Sequence, residues 1–281
     1  MHALSDTIKL LRIPFSFFLM PVFLFALSQV PVVNYSHAGI LFVVLHLFIY
    51  PASNAYNSYM DQDEGPIGGL EHPPKATRSI FYLSAALDVV GIALSSLISP
   101  VVALGVLLYV LASRAYSYTG IRLKKFPIAG YITVVFFQGA FTYALTFYAV
   151  SNHWPHYANA VISSLLIGGV YPLTQIYQHD EDRKNGDTTL SILLGYRGTF
   201  VFTAILFTAA TALMFLFLPK ATFIVIQACM LPVVSYFFYW VKITWNNTQH
   251  ADFKHTMRMN TLASLLLNLC FMLLFTWYHL L

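Results

Sequence analysis

The chain has 281 residues, of which 58% are hydrophobic and only 9% charged. A soluble domain averages about 25% charged residues. This composition excludes a soluble globular enzyme, a disordered chain and a nucleic-acid binder working through a broad basic face, and it defines a polytopic membrane protein. The net charge of +4 gains meaning only when the charges are placed along the chain. Cys229 and Cys270 sit in apolar stretches and read as small core residues, with no disulfide framework.

A membrane-crossing helix needs about 20 mostly apolar residues. Nine such segments are predicted in chain order, at 10–30, 37–58, 79–98, 100–118, 127–150, 157–178, 199–218, 221–242 and 259–280. They are long, rich in Leu and Phe and not alternating, which marks helices rather than barrel strands. The first carries a cleavage-like Ala26-Leu27-Ser28, but its apolar run is too long for a typical signal peptide and reads as a span. The expected fold is all-α, a single domain of nine transmembrane helices around a central cavity. With the N-terminus inside, Lys9, Arg12, Lys75, Arg78, Arg114, Arg122, Lys124, Lys125, Arg183, Lys184, Arg197, Lys242, Lys254 and Arg258 fall on the inner side. Only Lys220 falls outside, a split of 14 to 1. That asymmetry predicts an integral protein of the cell (inner) membrane with a cytoplasmic N-terminus and cytoplasmic loops after spans 2, 4 and 6.

Acidic residues contribute little to topology, yet they too are clustered. Asp61, Asp63, Glu64 and Glu71 follow span 2, while Asp180, Glu181, Asp182 and Asp187 follow span 6. Two solvated loops are one reading, and a shared metal site is the sharper one. Residues 50–65 and 171–186 can be overlaid, with Tyr50-Pro51 on Tyr171-Pro172, Tyr56 on Tyr177, Asp61 on Asp182 and Gly65 on Gly186. Spans 2 and 6 run the same way through the membrane, so the echo is a parallel repeat. It divides the chain into halves of about 1–125 and 126–245 plus a ninth helix at 259–280.

Within the repeat, Asn54, Asn57 and Asp61 share the i, i+3, i+7 spacing of Gln175, Gln178 and Asp182. On a helix each set stacks along one face, giving two amides and then a carboxylate. Such oxygen ligands suit Mg²⁺, which binds through a few carboxylates and substrate phosphates. Amides that merely join helices leave the carboxylates unexplained. Asp88 and His46 lie near the middle of spans 3 and 2, and an intramembrane carboxylate is a functional candidate by default. These two residues either form a hydrogen-bonded pair or face the cavity separately. His153 and His156, beside Trp154, read as interfacial. His72, before Pro73-Pro74, reads as part of a rigid loop able to fold over the site, and Met257 and Met259 as packing.

At the acidic motifs the sequence resembles the UbiA superfamily of intramembrane prenyltransferases, which has nine helices and motifs of the forms NxxxDxxxD and DxxxDxxxD after the second and sixth. The first motif reads from Asn57 through Asp61, Asp63 and Glu64 to Gly65. The second runs from Tyr177-Gln178 through Asp180, Glu181 and Asp182 to Gly186-Asp187 and Thr189-Leu190, with Leu194-Gly195 as its tail. A third stretch, Tyr116-Ser117 to Arg122, Lys124 and Lys125, is similar to the family's segment after helix four. There are departures. Gly65 stands where the last Asp of the first motif would fall, with Asp63 or Glu64 as the substitute. Gln178 stands where the second motif's leading Asp would fall, with the acidic weight moved to Asp180 and Asp182.

The resemblance implies Mg²⁺-dependent transfer of a prenyl group from an isoprenyl diphosphate to an aromatic or other lipophilic acceptor, through an allylic carbocation-like state. It implies a metal set of Asp61, Asp63, Glu64, Gln178, Asp180 and Asp182, and a catalytic set of Asn57, Asp61, Asp182, Lys124 and Asp88. Substrate would be held by Asn54, Tyr56, Tyr116, Arg122, Lys124, Gln175, Tyr177 and Asp187, with Lys75 and Arg78 as further phosphate ligands. Tyr56, Tyr116 and Tyr177 are the aromatic faces placed to stabilise a cation. Membrane lipid is an expected partner and nucleic acid is not. Quinone-ring, haem-type, chlorophyll-type and lipid-alcohol acceptors all stay open. A transporter built from parallel repeats is the alternative. Its site would lie near the midplane, whereas these clusters lie at the inner mouth. An alcohol phosphotransferase would need a D-G…A-R…G…D…D run, which the sequence lacks.

Overall fold

The computed structural model describes residues 2–279, and regular structure among them is helical. Span 1 is a bent pair, Asp6–Phe18 and Met20–Gln29, meeting at 40°. Pro21, in the first turn of the second piece, sits at the break, and Pro14 opens the tightened stretch Ile13–Phe18 within the first, because proline starts a helix but cannot continue one. Spans 2 to 9 are Tyr35–Asp61, Arg78–Ser95, Pro100–Ser117, Pro127–Ser151, Tyr157–Gln175, Leu190–Phe217, Lys220–Asn246 and Phe253–His279. Each segment expected from hydropathy is therefore occupied by helix, although residue 280, the predicted end of the ninth, lies outside the described residues.

Two spans contain a widened turn. In span 2 it covers Val44–Ile49, just before Pro51, which has no N–H to return to the preceding turn. In span 5 it covers Phe136–Phe141. There the Thr142 hydroxyl donates to Phe137 O at 2.7 Å, while Ser164 of span 6 accepts from Ala140 N at 2.9 Å and donates to Val135 O at 3.0 Å. The contact requires Gly139, since a Cβ there would lie 2.6 Å from Ser164 Cα.

The interior is filled where spans meet. Phe23, Leu41, Leu45, Val106 and Leu145 join spans 1, 2, 4 and 5. Leu173, Phe200, Phe237, Trp240 and Met259 join spans 6 to 9. Leu104, Leu108 and Leu111 on span 4 and Leu231 and Phe238 on span 8 point outward and exposed, as lipid-facing side chains do. The segments 62–77, 118–126 and 176–189 meet at one end of the bundle, where Thr188 N donates to Lys125 O and Gln178 to Pro66 O.

One local expectation is corrected. Span 6 does not carry Gln175, Gln178 and Asp182 on one continuous helical face. It ends at Gln175 with tightened i to i+3 bonds, and a separate helix, His179–Lys184, starts after Gln178. Asp180, Glu181 and Asp182 then occupy the first turn of that helix, where the positive end of the macrodipole favours carboxylates; a continuous helix would have held them at its negative end. Span 7 likewise begins at Leu190, nine residues before the predicted 199, and turns at Gly195, whose φ of 67° and ψ of 175° suit only glycine.

Candidate active site at the mouth of an apolar cavity

A cavity of about 290 Å³ opens at the end of the bundle where these loops gather. Its depth is apolar, lined by Phe18, Phe25, Phe137, Leu166 and Phe271, with Phe15 on the wall nearer the 62–77 loop. Its mouth is polar, lined by Asn54, Asn57, Asp61 and Asp63 from the first motif, Lys124 from the third, and Gln175, Tyr177, Gln178 and Asp182 from the second.

At the centre of the mouth Lys124 Nζ lies 2.6 Å from Asp61 Oδ2 and 3.1 Å from Asp187 Oδ2. Asn57 donates to Asp61 Oδ2 at 2.7 Å and to Ser117 Oγ at 3.1 Å. Arg122 stands behind this pair, making two bonds to Asp187 at 2.8 and 2.9 Å and lying 3.5 Å from Asp61 Oδ1. Burial opposes the charge on Lys124, but Asp61 and Asp187 outweigh it and hold the ammonium above its ordinary pKa. The bonds to Asp187 raise Arg122 in the same sense. Arg122 and Asp187 thus contact Asp61 and Lys124 and do not line the wall.

Two carboxylates at the mouth are poorly neutralised. Burial, reinforced by repulsion from Asp61, pushes Asp63 up to about 6. Burial raises Asp182 to about 7, with Lys124 opposing and Asp187, Asp63 and Asp61 adding repulsion. Asp182 Oδ2 is buried with no partner among the described residues. Buried polar atoms are rarely left so, and the same holds for Arg12 Nε, Gln175 Oε1 and Asn260 Oδ1, whose residues all line the cavity. A divalent cation fits this donor set: hard carboxylate oxygens, mutually repelling and one of them unpartnered. Tyr116 and Tyr171 share a hydrogen bond on the wall, and Gln175 donates to Tyr171 at 3.0 Å.

Other candidates fall elsewhere. Asp180 is exposed and pairs with Arg183. Glu64 is exposed, and its backbone N–H rather than its side chain meets the second loop. Lys75, Arg78 and His72 do not line the cavity. Asp88 is not paired with His46. Arg114 Nε donates to Asp88 at 2.9 Å and reaches the Ser84 carbonyl at 3.2 Å. His46 is enclosed by the rings of Phe23, Phe42 and Tyr50. An arginine meets a buried carboxylate with several donors, which an imidazole cannot match. Tyr56 belongs to that same cluster, its ring 3.9 Å beneath the Arg114 guanidinium, and neither Tyr56 nor Asp88 lines the cavity.

Several wall residues escape a reading of the sequence. Arg12, by sequence only an inner-face charge, is buried, adopts a left-handed φ of 47°, and donates to Asn54 O at 3.0 Å while lining the mouth. Asn260 and Tyr171 also line the wall, and Met257 does so rather than only packing. For Arg12 and Asn260 the available signal is a charge or amide inside a predicted apolar run; Tyr171 and Met257 carry no such signal.

Fold and site together define a class: a polytopic membrane protein whose intramembrane cavity is shaped for an amphiphile, ionic at its mouth and apolar below. The profile of the UbiA prenyltransferase family matches residues 18–262. The chain belongs to this family and is an intramembrane prenyltransferase. Three solved structures share the fold. A UbiA homologue from Archaeoglobus fulgidus bound to DMAPP and Mg²⁺ is 18% identical, with a TM-score of 0.71 over 96% of this chain and 99% of that one. An apo UbiA homologue from Aeropyrum pernix K1 is 17% identical, with a TM-score of 0.67 over 92% and 97%. A digeranylgeranylglyceryl phosphate synthase is 16% identical, with a TM-score of 0.61 over the full length of both chains. Among curated proteins, none matches the sequence.

Proposed function

We propose that this chain transfers the prenyl group of an isoprenyl diphosphate to a lipophilic acceptor in a Mg²⁺-dependent reaction, with its acidic loops on the cytoplasmic side of the membrane. The observation that carries this reading is the mouth itself: Asp61, Asp63 and Asp182 gathered around Lys124 above an apolar cavity. The Archaeoglobus fulgidus homologue structures with DMAPP or GPP and Mg²⁺ support the choice of donor and metal. The 14 to 1 split of basic residues supports the orientation.

Asp61, Asp63 and Asp182 would hold the metal. When bound, Mg²⁺ supplies Lewis acidity and charge neutralisation to the diphosphate. The chain's own residues do the rest. Lys124 and Arg12 present fixed cations to the phosphate oxygens, and Arg122 and Asp187 keep Lys124 aimed. As the allylic C–O bond breaks, its electron pair leaves with the bridging oxygen, toward these cations. The Tyr116 and Tyr171 rings face the carbon that becomes positive. Phe18, Phe25, Phe137 and Phe271 line the space for the isoprenyl tail and keep water from the cation. The acceptor nucleophile then attacks that carbon, and the proton it gives up leaves with the released diphosphate. An apolar wall of this size accommodates an aromatic or other lipophilic acceptor.

The test is incubation of the purified chain in lipid with Mg²⁺, labelled prenyl diphosphates and a panel of aromatic and lipid-alcohol acceptors. Mg²⁺-dependent formation of prenylated product is the expected result. Absence of both transfer and metal-dependent diphosphate release overturns the reading.

A further inference from the structure

Glu181 lies in the first turn of the short helix His179–Lys184, and its side chain points away from the cavity toward the first acidic loop. Its carboxylate accepts from Glu64 N at 2.7 Å and from Gly65 N at 3.1 and 2.9 Å, the last two through different oxygens. The two loops are 116 residues apart in sequence, and this is a charge-assisted contact, stronger than a neutral one. Gln178, donating to Pro66 O at 3.4 Å, and Asn185, 3.5 Å from Asp63 Oδ1, flank it.

Gly65 is shaped for this contact. Its backbone is not left-handed, unlike that of Gly69, Gly186 and Gly195, so conformation does not require glycine. What a side chain here would do is displace the carboxylate: a Cβ at this position would collide with Glu181 Oε2. Gly65 is also the position where the first motif lacks its last carboxylate. The space that side chain would fill is taken by a carboxylate from the second motif. Two residues from Gly65 is Asp63, and next to Glu181 is Asp182, both on the cavity wall.

We propose that Glu181 is a positioning residue that clasps the first acidic loop onto the second, fixing Asp63 and Asp182 across the cavity mouth in place of the side chain missing at Gly65. Glu181 touches neither cavity nor substrate, so its effect passes through the carboxylates it spaces. The inference rests on the reading in which those carboxylates hold a divalent cation.

The experiment compares wild type with Glu181→Gln, Glu181→Ala, Gly65→Ala and the double variant Gly65→Ala/Glu181→Ala. Amide exchange of the 62–66 segment reports the clasp, and Mn²⁺ titration by electron paramagnetic resonance reports the metal site without turnover. Glu181→Ala is expected to speed exchange of that segment about tenfold or more, the equivalent of one charge-assisted bond. It is expected to weaken Mn²⁺ binding about tenfold or more, as loss of a group orienting metal ligands does. Glu181→Gln, which keeps one accepting oxygen and the same shape, falls between. Gly65→Ala reproduces the effects of Glu181→Ala by displacing the carboxylate, and the double variant is no worse than Glu181→Ala alone.

Unchanged exchange in Glu181→Ala and Glu181→Gln overturns the clasp. Unchanged Mn²⁺ affinity, or effects of the two positions that multiply, overturns its role. Asp61→Asn and Asp182→Asn separate the two readings. If they lose Mn²⁺ and Glu181→Ala does not, the clasp fails and the metal site stands. If they bind Mn²⁺ as wild type does, the metal reading fails and the proposed role with it.

Discussion

Among the described residues, two buried carboxylate–cation clusters lie within this bundle, and one of them belongs to the cavity. At the mouth, Asp61 is flanked by Lys124, Asn57 and Arg122, with Asp182 nearby carrying an unpartnered oxygen. Between spans 3 and 4, Asp88 is closed off by Arg114, whose guanidinium also reaches Ser84 and covers the Tyr56 ring. Both are costly to bury. The mouth cluster has excess acid, an orphaned acceptor and a wall of the cavity. The Asp88 cluster is saturated by one arginine and has no cavity. An ionisable residue inside a membrane protein is therefore a functional candidate only until its partners are counted.

The comparison predicts opposite behaviour when each cluster is cut. Replacing Asp61 or Asp182 by Asn removes metal-binding charge, and for Asp61 also one carboxylate partner of Lys124. Transfer is expected to fall about a thousandfold, or about 4 kcal/mol of barrier. Activity within a few-fold of wild type would mean that these carboxylates hold no metal. Lys124→Met ranks next, with an expected loss of about a hundredfold, typical of removing one fixed donor at a developing charge. It also leaves Asp61 and Asp187 facing each other without their shared cation. Steady-state kinetics of these three variants against prenyl diphosphate concentration measure these losses.

Much of this was legible in the sequence, and the parts that were not share a cause. Eight of the nine apolar runs give unbroken helices long enough to cross a membrane and the first gives a bent pair, because lipid leaves the backbone no alternative to closed helices. Asn57 and Asp61 stood out through the repeated spacing and the acidic cluster after span 2, and Lys124 through the family-like stretch after span 4. Spacing failed at Gln178 and Asp182. Hydropathy does not register that three carboxylates prefer the start of a new helix to the end of an old one. It failed again at Asp88, whose partner was sought in span 2. Arg114 lies in the last turn of span 4, where it reads as one more inner-face charge. Its long side chain instead reaches back to Ser84 and Asp88. Arg12 was hidden in the same way, counted for its sign and not for its burial.

The Asp88 cluster should fail as structure rather than as chemistry. Asp88→Asn strands Arg114 and is expected to cost about 3 kcal/mol, seen as a lower Tm in detergent. Transfer per folded molecule should stay within about threefold, or about 0.6 kcal/mol. Pairing it with Arg114→Gln should recover part of the Tm, because no uncompensated charge then remains. A large loss of kcat with an unchanged Tm would move Asp88 back into the reaction.

Tyr56 supplies the smallest and most discriminating effect. Its ring stacks under Arg114, and its hydroxyl faces no cavity. Tyr56→Phe keeps that stacking and is expected to change stability and transfer by less than about 0.5 kcal/mol. Tyr56→Leu removes the cation–π contact at a cost of about 1 kcal/mol in stability, again with kcat preserved. Tyr116→Leu, made at the cavity wall, removes the ring proposed to face the developing cation and should lower kcat as well as Tm, since the hydroxyl bonded to Tyr171 goes with it. The pair of tyrosines thus repeats the contrast of the two carboxylate clusters without any change of charge, so that position relative to the cavity is the only variable left to explain a difference in rate.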